Sequence, residues 1–89
     1  MPAAFDPHAR YRLDGDVALR PEPFGALAYH YGSRRLTFLR STLLASVVRS
    51  LGEHESAEAA LAVSVPEGER PAYRKALAAL AGSGFIRAC

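Results

Sequence analysis

An α+β fold, a three-stranded antiparallel sheet followed by three helices, is predicted by three features of this 89-residue chain. Residues 17–39 carry three short β-prone runs separated by corners rich in Pro and Gly. From Ser41 onward, large apolar residues recur at helical spacing instead of alternating. Gly52, Pro71 and Gly82 then punctuate that second half into three helices.

Residues 1–10 contain two prolines and little periodicity, and read as a flexible N-terminal arm ahead of a single domain at 11–89. Tyr11 and Leu13 are anchors for the core. Asp14-Gly15-Asp16 reads as a turn into the first strand, residues 17–20. Pro21 and Pro23 have no N–H to give a ladder, so the chain is expected to turn there. Residues 25–31 form the longest alternating run, with Leu27, Tyr29 and Tyr31 on one face and Ala26, Ala28 and His30 on the other. Gly32-Ser33-Arg34-Arg35 offers a corner in which Gly32 is expected to take positive φ. Leu36-Thr37-Phe38-Leu39 completes the sheet.

Ser41 and Ser56 stand where helix N-caps belong, each able to accept a backbone N–H from the first turn. Leu43, Leu44, Val47, Val48 and Leu51 make the stripe of the first helix, with Gly52 as its expected left-handed stop. The second helix, about residues 57–63, has Leu61 and Val63 as anchors and Glu58 in its first turn. Pro71 suits the first turn of the third helix, whose stripe is Tyr73, Ala76, Leu77, Leu80 and Ala81. Gly82 and Gly84 end it, and Phe85-Ile86 returns to the core.

Of the 44 hydrophobic residues 17 are alanine, so 89 residues provide one modest core. Net charge is only +2, too little to mark a nucleic-acid binder. The single cysteine, Cys89, excludes an internal disulfide and a Cys-based metal site. No apolar run approaches the ~20 residues that span a bilayer, and a cytoplasmic protein is the expectation. Charge is segregated: no acid occurs between Glu22 and Glu53, where Arg34, Arg35, Arg40 and Arg49 lie. Five acids and no Lys or Arg then occupy residues 53–69, before Arg70, Arg74 and Lys75.

His8, His30 and His54 are scattered over an arm, a strand and a loop, with no partner at triad or ligand spacing, so no catalytic residue is assigned. Gly82-Ser83-Gly84 follows a helix instead of opening one, so it is a stop and not a phosphate loop. Two binding readings remain. Three helices and a small sheet are the parts of a winged helix-turn-helix, and Arg70, Arg74 and Lys75 could face a duplex. Yet the third helix lacks the Asn, Gln, Ser and Arg spread along one face that reads base edges. The rival is peptide capture, in which the short last strand serves as a template for an added strand.

The residues Leu13-Asp14-Gly15-Asp16-Val17-Ala18-Leu19-Arg20-Pro21-Glu22-Pro23-Phe24-Gly25-Ala26-Leu27 and Leu80-Ala81-Gly82-Ser83-Gly84-Phe85-Ile86 carry a resemblance. The chain resembles the peptide chaperones of mycofactocin biosynthesis, a branch of the PqqD-like precursor-peptide recognition elements, over nearly its whole length. The resemblance implies a winged helix-turn-helix-like domain that is not an enzyme and holds no cofactor or metal. Such a domain binds the leader of a ribosomally made precursor peptide, which adds as a strand to the third strand and lies against the third helix. It hands that peptide to a radical S-adenosylmethionine (SAM) enzyme with iron–sulfur clusters, which oxidatively decarboxylates a C-terminal tyrosine and crosslinks it to the neighbouring valine. Carried onto this chain, the peptide-binding residues are Arg34, Arg35, Leu36, Thr37, Phe38 and Leu39 with Tyr73, Arg74, Leu77, Ala78 and Ala81. Neither nucleic acid nor membrane is an expected partner, while the open strand edge also suits a homodimer. Many relatives have Leu-Asn at the strand-to-helix junction, where this chain has Arg40-Ser41.

Overall fold

The alternation of residues 25–31 builds the central strand of the sheet, and the rest of the chain is arranged around its two faces. The computed structural model describes residues 4–89. Its strands are β1 (Tyr11–Leu13), β2 (Val17–Glu22), β3 (Gly25–His30), β4 (Arg35–Leu39) and β5 (Ile86–Ala88). The helices α1 (Thr42–Ser50), α2 (Ala57–Ser64) and α3 (Arg70–Gly82) lie between β4 and β5. The α+β class and the three helices agree with the sequence, but the strands make two sheets and not one.

The larger sheet has the order β2-β3-β4, antiparallel throughout. The second pairs β1 with β5, matching Tyr11 to Ala88 and Leu13 to Ile86. Tyr11, Leu13 and Ile86 are legible as anchors, whereas their pairing joins the two ends of the chain. Three-residue strands carry no period of their own, so only the tertiary fold brings them together.

Pro21 does not end β2, which continues to Glu22 and turns at Pro23-Phe24. Tyr31 donates its N–H to the Asp16 carbonyl at 2.8 Å, making that pair a hydrogen-bonded one. Counting in twos from it, Pro21 and Ala26 form a non-bonded pair. On this edge strand the missing N–H therefore points away from β3, where a proline is tolerated.

The corner between β3 and β4 differs from expectation in one residue. His30 and Arg35 close a four-residue loop, and Arg34, not Gly32, takes the left-handed conformation with φ of 58°. The last loop residue must reverse the chain into β4, whereas Gly32 keeps ordinary backbone. Ser33 N–H donates to His30 Nδ1 at 3.1 Å across the loop.

Ser41 and Ser56 cap α1 and α2 as expected, each side chain accepting an N–H at 3.0 Å, from Leu44 and Ala59 respectively. Gly52 is not a left-handed stop. Instead, α1 tightens into a 3-10 turn at Leu51–Glu53 that leaves Leu51 fully buried. Val63, expected as an anchor, is 74% exposed, and Leu61 alone anchors the end of α2. At the end of α3, Gly84 at φ of 83° closes a Schellman motif. Phe85 N–H donates to the Leu80 carbonyl at 2.9 Å and Gly84 N–H to that of Ala81 at 3.2 Å. Phe85 is thereby delivered to the core, where it is 3% exposed.

Ala26 and Ala28 on the inner face of β3 are buried, and their small size lets α1 approach the sheet. Leu39, Val47, Val48, Leu51, Leu61, Leu77 and Ile86 fill the space between sheet and helices. Each such side chain contributes about 1.5–3 kcal/mol from burial. The segment expected as an arm lies partly outside the described residues. From Phe5 onward it is tied to α2: Pro7 and Ala9 carbonyls accept the N–H groups of Glu58 and Ala57 at 2.8 and 3.0 Å. Those donors belong to the first turn of α2 and have no partner within the helix. Among the described residues, no helix is long and apolar enough to cross a membrane.

Gly25 opens β3 at φ of 149°, where a Cβ would collide with the Leu39 carbonyl and come within 2.8 Å of the Ser41 backbone. Gly25→Ala is therefore expected to cost about 2 kcal/mol or more, from backbone strain and overpacking together. Arg34→Gly is expected to be neutral or to stabilise by up to about 1 kcal/mol, because it relieves a left-handed non-glycine residue. Urea denaturation of the two variants checks the contrast.

Candidate functional site: an open strand edge beside an apolar groove

The pairing that builds the sheet also decides which backbone groups it leaves free. Residues 25, 27 and 29 of β3 bond to β2, so Ala26, Ala28 and His30 bond to β4 through Leu39, Thr37 and Arg35. Leu36 and Phe38 therefore direct their N–H and C=O groups outward, along an edge that no other strand covers among the described residues. Side chains alternate the other way about. Thr37 and Leu39 point toward the helices, while Leu36 and Phe38 stand on the outer face, each about half exposed at 53% and 52%.

Beside this edge runs a groove between β4 and α3, with α1 below. One segment of about 220 Å³ is lined by Thr37, Phe38 and Leu39 of the strand, Leu44 of α1, and Ala76, Ala79, Leu80 and Ser83. A second, of about 180 Å³, continues past the strand end between Arg40, Ser41, Leu44, Ala72, Tyr73 and Ala76. Leu44 and Ala76 belong to both, so the two segments are one trough. Ser41 Oγ lies 3.0 Å from the Tyr73 hydroxyl while also capping α1. That contact ties the strand end to α3 across the trough.

The strand residues Arg35, Leu36, Thr37, Phe38 and Leu39 all lie on the edge, with Arg34 at its start. On α3, Tyr73 lines the trough, but the other expected helix positions face elsewhere. Leu77 is fully buried in the core. Ala81 packs against that core, and Ala78 lines neither segment of the trough. Arg74 turns to α2, where its Nε and terminal nitrogen donate to the two carboxylate oxygens of Glu58 at 2.6 Å each. The trough-facing residues of α3 are Ala72, Tyr73, Ala76, Ala79, Leu80 and Ser83; of these sequence reasoning named only Tyr73 as peptide-binding, and it also missed Leu44 of α1. The small-residue spacing 72, 76, 79, 83 marks a second face of the same helix. The large leucines outweigh it in any hydrophobic pattern.

Charge is unevenly used. Arg70, like Arg74, is occupied within the fold: its Nε donates to the Val65 carbonyl at 2.8 Å, at the C-terminus of α2. Among the described residues, Arg34, Arg35 and Arg40 form no ion pair. The β4 margin is therefore basic and unneutralised. The Asp14 carboxylate is held below its ordinary range, chiefly by accepting the Asp16 N–H, with the His30 and Arg87 side chains adding to this. The Arg74 hydrogen bonds lower Glu58 in the same direction. Among the described residues, no cluster of His, Cys, Asp or Glu is placed to hold a metal ion.

These parts define a small α+β domain whose surface is organised by an unpaired strand over a small-residue trough. The profile of the peptide chaperone MftB family matches residues 10–87. The peptide chaperone MftB of Mycobacterium ulcerans (strain Agy99) is 49% identical over 84 residues, covering 93% of this chain and 77% of that protein. That of Mycolicibacterium smegmatis (strain ATCC 700084 / mc(2)155) is 45% identical over 83 residues, covering 92% and 81%. That of Mycobacterium tuberculosis (strain ATCC 25618 / H37Rv) is 41% identical over 83 residues, covering 92% and 76%. No solved structure matches the chain. The chain belongs to the peptide chaperone MftB family, whose role is non-catalytic.

Because the folded-state Glu58 carboxyl is depressed, its contribution is full above the ordinary glutamate range and disappears as pH falls through the lowered value. Glu58→Gln is expected to cost at most about 1 kcal/mol at pH 7, since the pair is partly solvated. The variant should also lose less stability on acidification than the parent, with Asp14 supplying the remaining slope. Denaturation midpoints at pH 7 and pH 3 for both proteins test this.

Proposed function

We propose that this chain is the precursor-peptide chaperone of mycofactocin biosynthesis and captures the leader of that peptide by strand addition. The open edge of β4 lying directly over the trough carries the reading. Leu36 and Phe38 offer two residues' worth of outward N–H and C=O groups, and a guest strand satisfies both. Its alternate side chains then enter the trough toward Leu44, Ala76 and Leu80. Backbone pairing supplies affinity and the trough supplies selection, as in other strand-addition complexes. The alanines make this wall shallow, so the guest backbone approaches α3 closely and large aliphatic side chains fill the space.

In this reading the domain is winged helix-turn-helix-like, with residues 11–89 as the recognition unit and 1–10 as its N-terminal extension. It uses no cofactor. It presents the bound peptide to the radical SAM iron–sulfur maturase, in the cytoplasm. Arg34, Arg35 and Arg40 bias the edge toward an acidic leader, each exposed pair being worth at most about 1 kcal/mol. A second copy would pair along the same edge, so dimer and peptide complex compete. The DNA-binding alternative is disfavoured because Arg70 and Arg74, two of the three bases near the start of α3, are engaged within the fold.

The backbone pattern selects the test. Leu36→Pro removes an outward N–H and sets a ring on the free edge, leaving the β3 ladder intact. It is expected to lower affinity for the precursor peptide at least about tenfold with little change in stability. Thr37→Pro instead takes an N–H from the β3–β4 ladder and is expected to destabilise the domain. Calorimetric titration beside thermal melts distinguishes them; full affinity in Leu36→Pro would exclude strand addition to β4. The basic margin predicts that binding weakens as salt is raised from 50 to 500 mM, by about threefold to tenfold.

A further inference from the structure

A strand laid along β4 has a second row of side chains, and the outer face of the sheet has a place for them. Phe24, from the β2–β3 turn, meets Phe38 edge to face at 5.8 Å between ring centroids. The Arg40 guanidinium lies 5.6 Å from the Phe38 ring centroid, within cation–π range. Together these three side chains line a cleft of about 390 Å³. Phe24 is 43% exposed and Phe38 52%, large for phenylalanine in a domain whose core is otherwise closed. None of these residues belongs to the inner wall that α1 and α3 supply, yet two of them also border the trough. Phe38 also borders the first trough segment, and Arg40 borders the second.

We infer that Phe24, Phe38 and Arg40 form a second specificity site, which reads the outward-facing residues of the bound peptide. The inference rests on the strand-addition reading and deepens it. A guest strand points every other side chain away from the helices. The outward residue opposite Phe38 lies over the two phenyl rings. The next outward residue, two positions along, lies opposite Arg40. Cross-strand neighbours at such positions interact directly. The rings select a large apolar or aromatic side chain. Arg40, which has no carboxylate partner among the described residues, selects an acidic one. The ligand class is therefore an extended segment with a large apolar residue and an acid two positions apart. Aliphatic residues at the intervening and flanking positions face the trough.

This arrangement also gives direction. Phe24 stands at the Leu39 end of the edge, beside the turn that joins Glu22 to Gly25. Tyr31 and Leu36 occupy the outer face at the opposite end, and no arginine is stacked on an aromatic ring there among the described residues. A guest strand laid the wrong way round would bring its acid to Leu36 and lose the Arg40 contact. Backbone pairing alone does not distinguish the two directions so sharply; the cleft does.

The test is a synthetic array of the mycofactocin precursor leader, with each residue replaced in turn by alanine and each acid by its amide. It is titrated against the parent chain, Phe24→Ala, Arg40→Gln and Leu36→Pro. Phe24→Ala and Arg40→Gln should each weaken the unmodified leader about fivefold, the size of one favourable cross-strand pair. Arg40→Gln should have no further effect on the one peptide whose critical acid is already an amide. Phe24→Ala should be silent on the peptide whose large residue two positions away is already alanine. If both variants bind every peptide like the parent while Leu36→Pro has lost binding, the second site is overturned and strand addition stands. If Leu36→Pro binds normally, strand addition fails and the inference fails with it. Phe24 and Arg40 are exposed and outside the core, so thermal melts should show both variants folded.

Discussion

The close passage of Gly25 beneath the backbone of Leu39 and Ser41 is the constraint on which the rest of this structure depends. There the start of β3 meets the point where β4 gives way to α1, at a separation that admits no side chain. The crossing brings Ser41 to the position where its hydroxyl caps α1 and meets Tyr73 of α3. It also aims α1 across Ala26 and Ala28, the two small residues on the inner face of the central strand. A larger residue at any of these three positions would lift the helix from the sheet. The trough under the β4 edge exists because that approach is close and α3 stands off from the strand.

The same economy governs what the surface offers. A three-stranded sheet has two edges, and proteins normally blunt such edges with charge, proline or short length. Here β2 is treated in that way: Pro21 and the Arg20–Glu22 pair occupy its outer part. On β4 the corresponding positions are Leu36 and Phe38, with arginines only at the strand's ends. The Pro21 end of the β2 edge is blunted, whereas the β4 edge carries neither proline nor charge between its ends. That asymmetry is difficult to reconcile with a sheet that serves only as structural support. It is compatible with membership of the peptide chaperone MftB family.

Charge segregation follows the same division. The acids of residues 53–69 do not form a separate surface of uniform sign, because Glu58 is drawn into a bidentate pair with Arg74 between α2 and α3. Arg70 closes the end of α2 through its carbonyls. Two bases of the helical half, Arg70 and Arg74, are thus engaged within the fold. Among the described residues, Arg34, Arg35 and Arg40 around β4 form no ion pair.

Much of this was legible in the sequence because it depends on local chemistry. The alternation of residues 25–31, the Ser41 and Ser56 caps, the glycine stop after α3 and the strand run 35–39 all follow from propensities and periods within a few residues. The sequence alone thereby determined the α+β class, the three helices and the strand that carries the open edge. It could not determine which face of α3 borders that strand, since Leu77 and Ala76 are adjacent on the helix. Only packing against α1 and α2 decides that Leu77 goes into the core and Ala76 to the trough. Nor could it reveal the β1–β5 pairing, the Glu58–Arg74 bond or the meeting of Phe24 with Phe38. Each joins residues that are distant in sequence or on separate elements, and their geometry is set by how close the helices come to the sheet. That distance is a property of the whole core, fixed at Gly25, Ala26 and Ala28 together, and no stretch of the chain states it by itself.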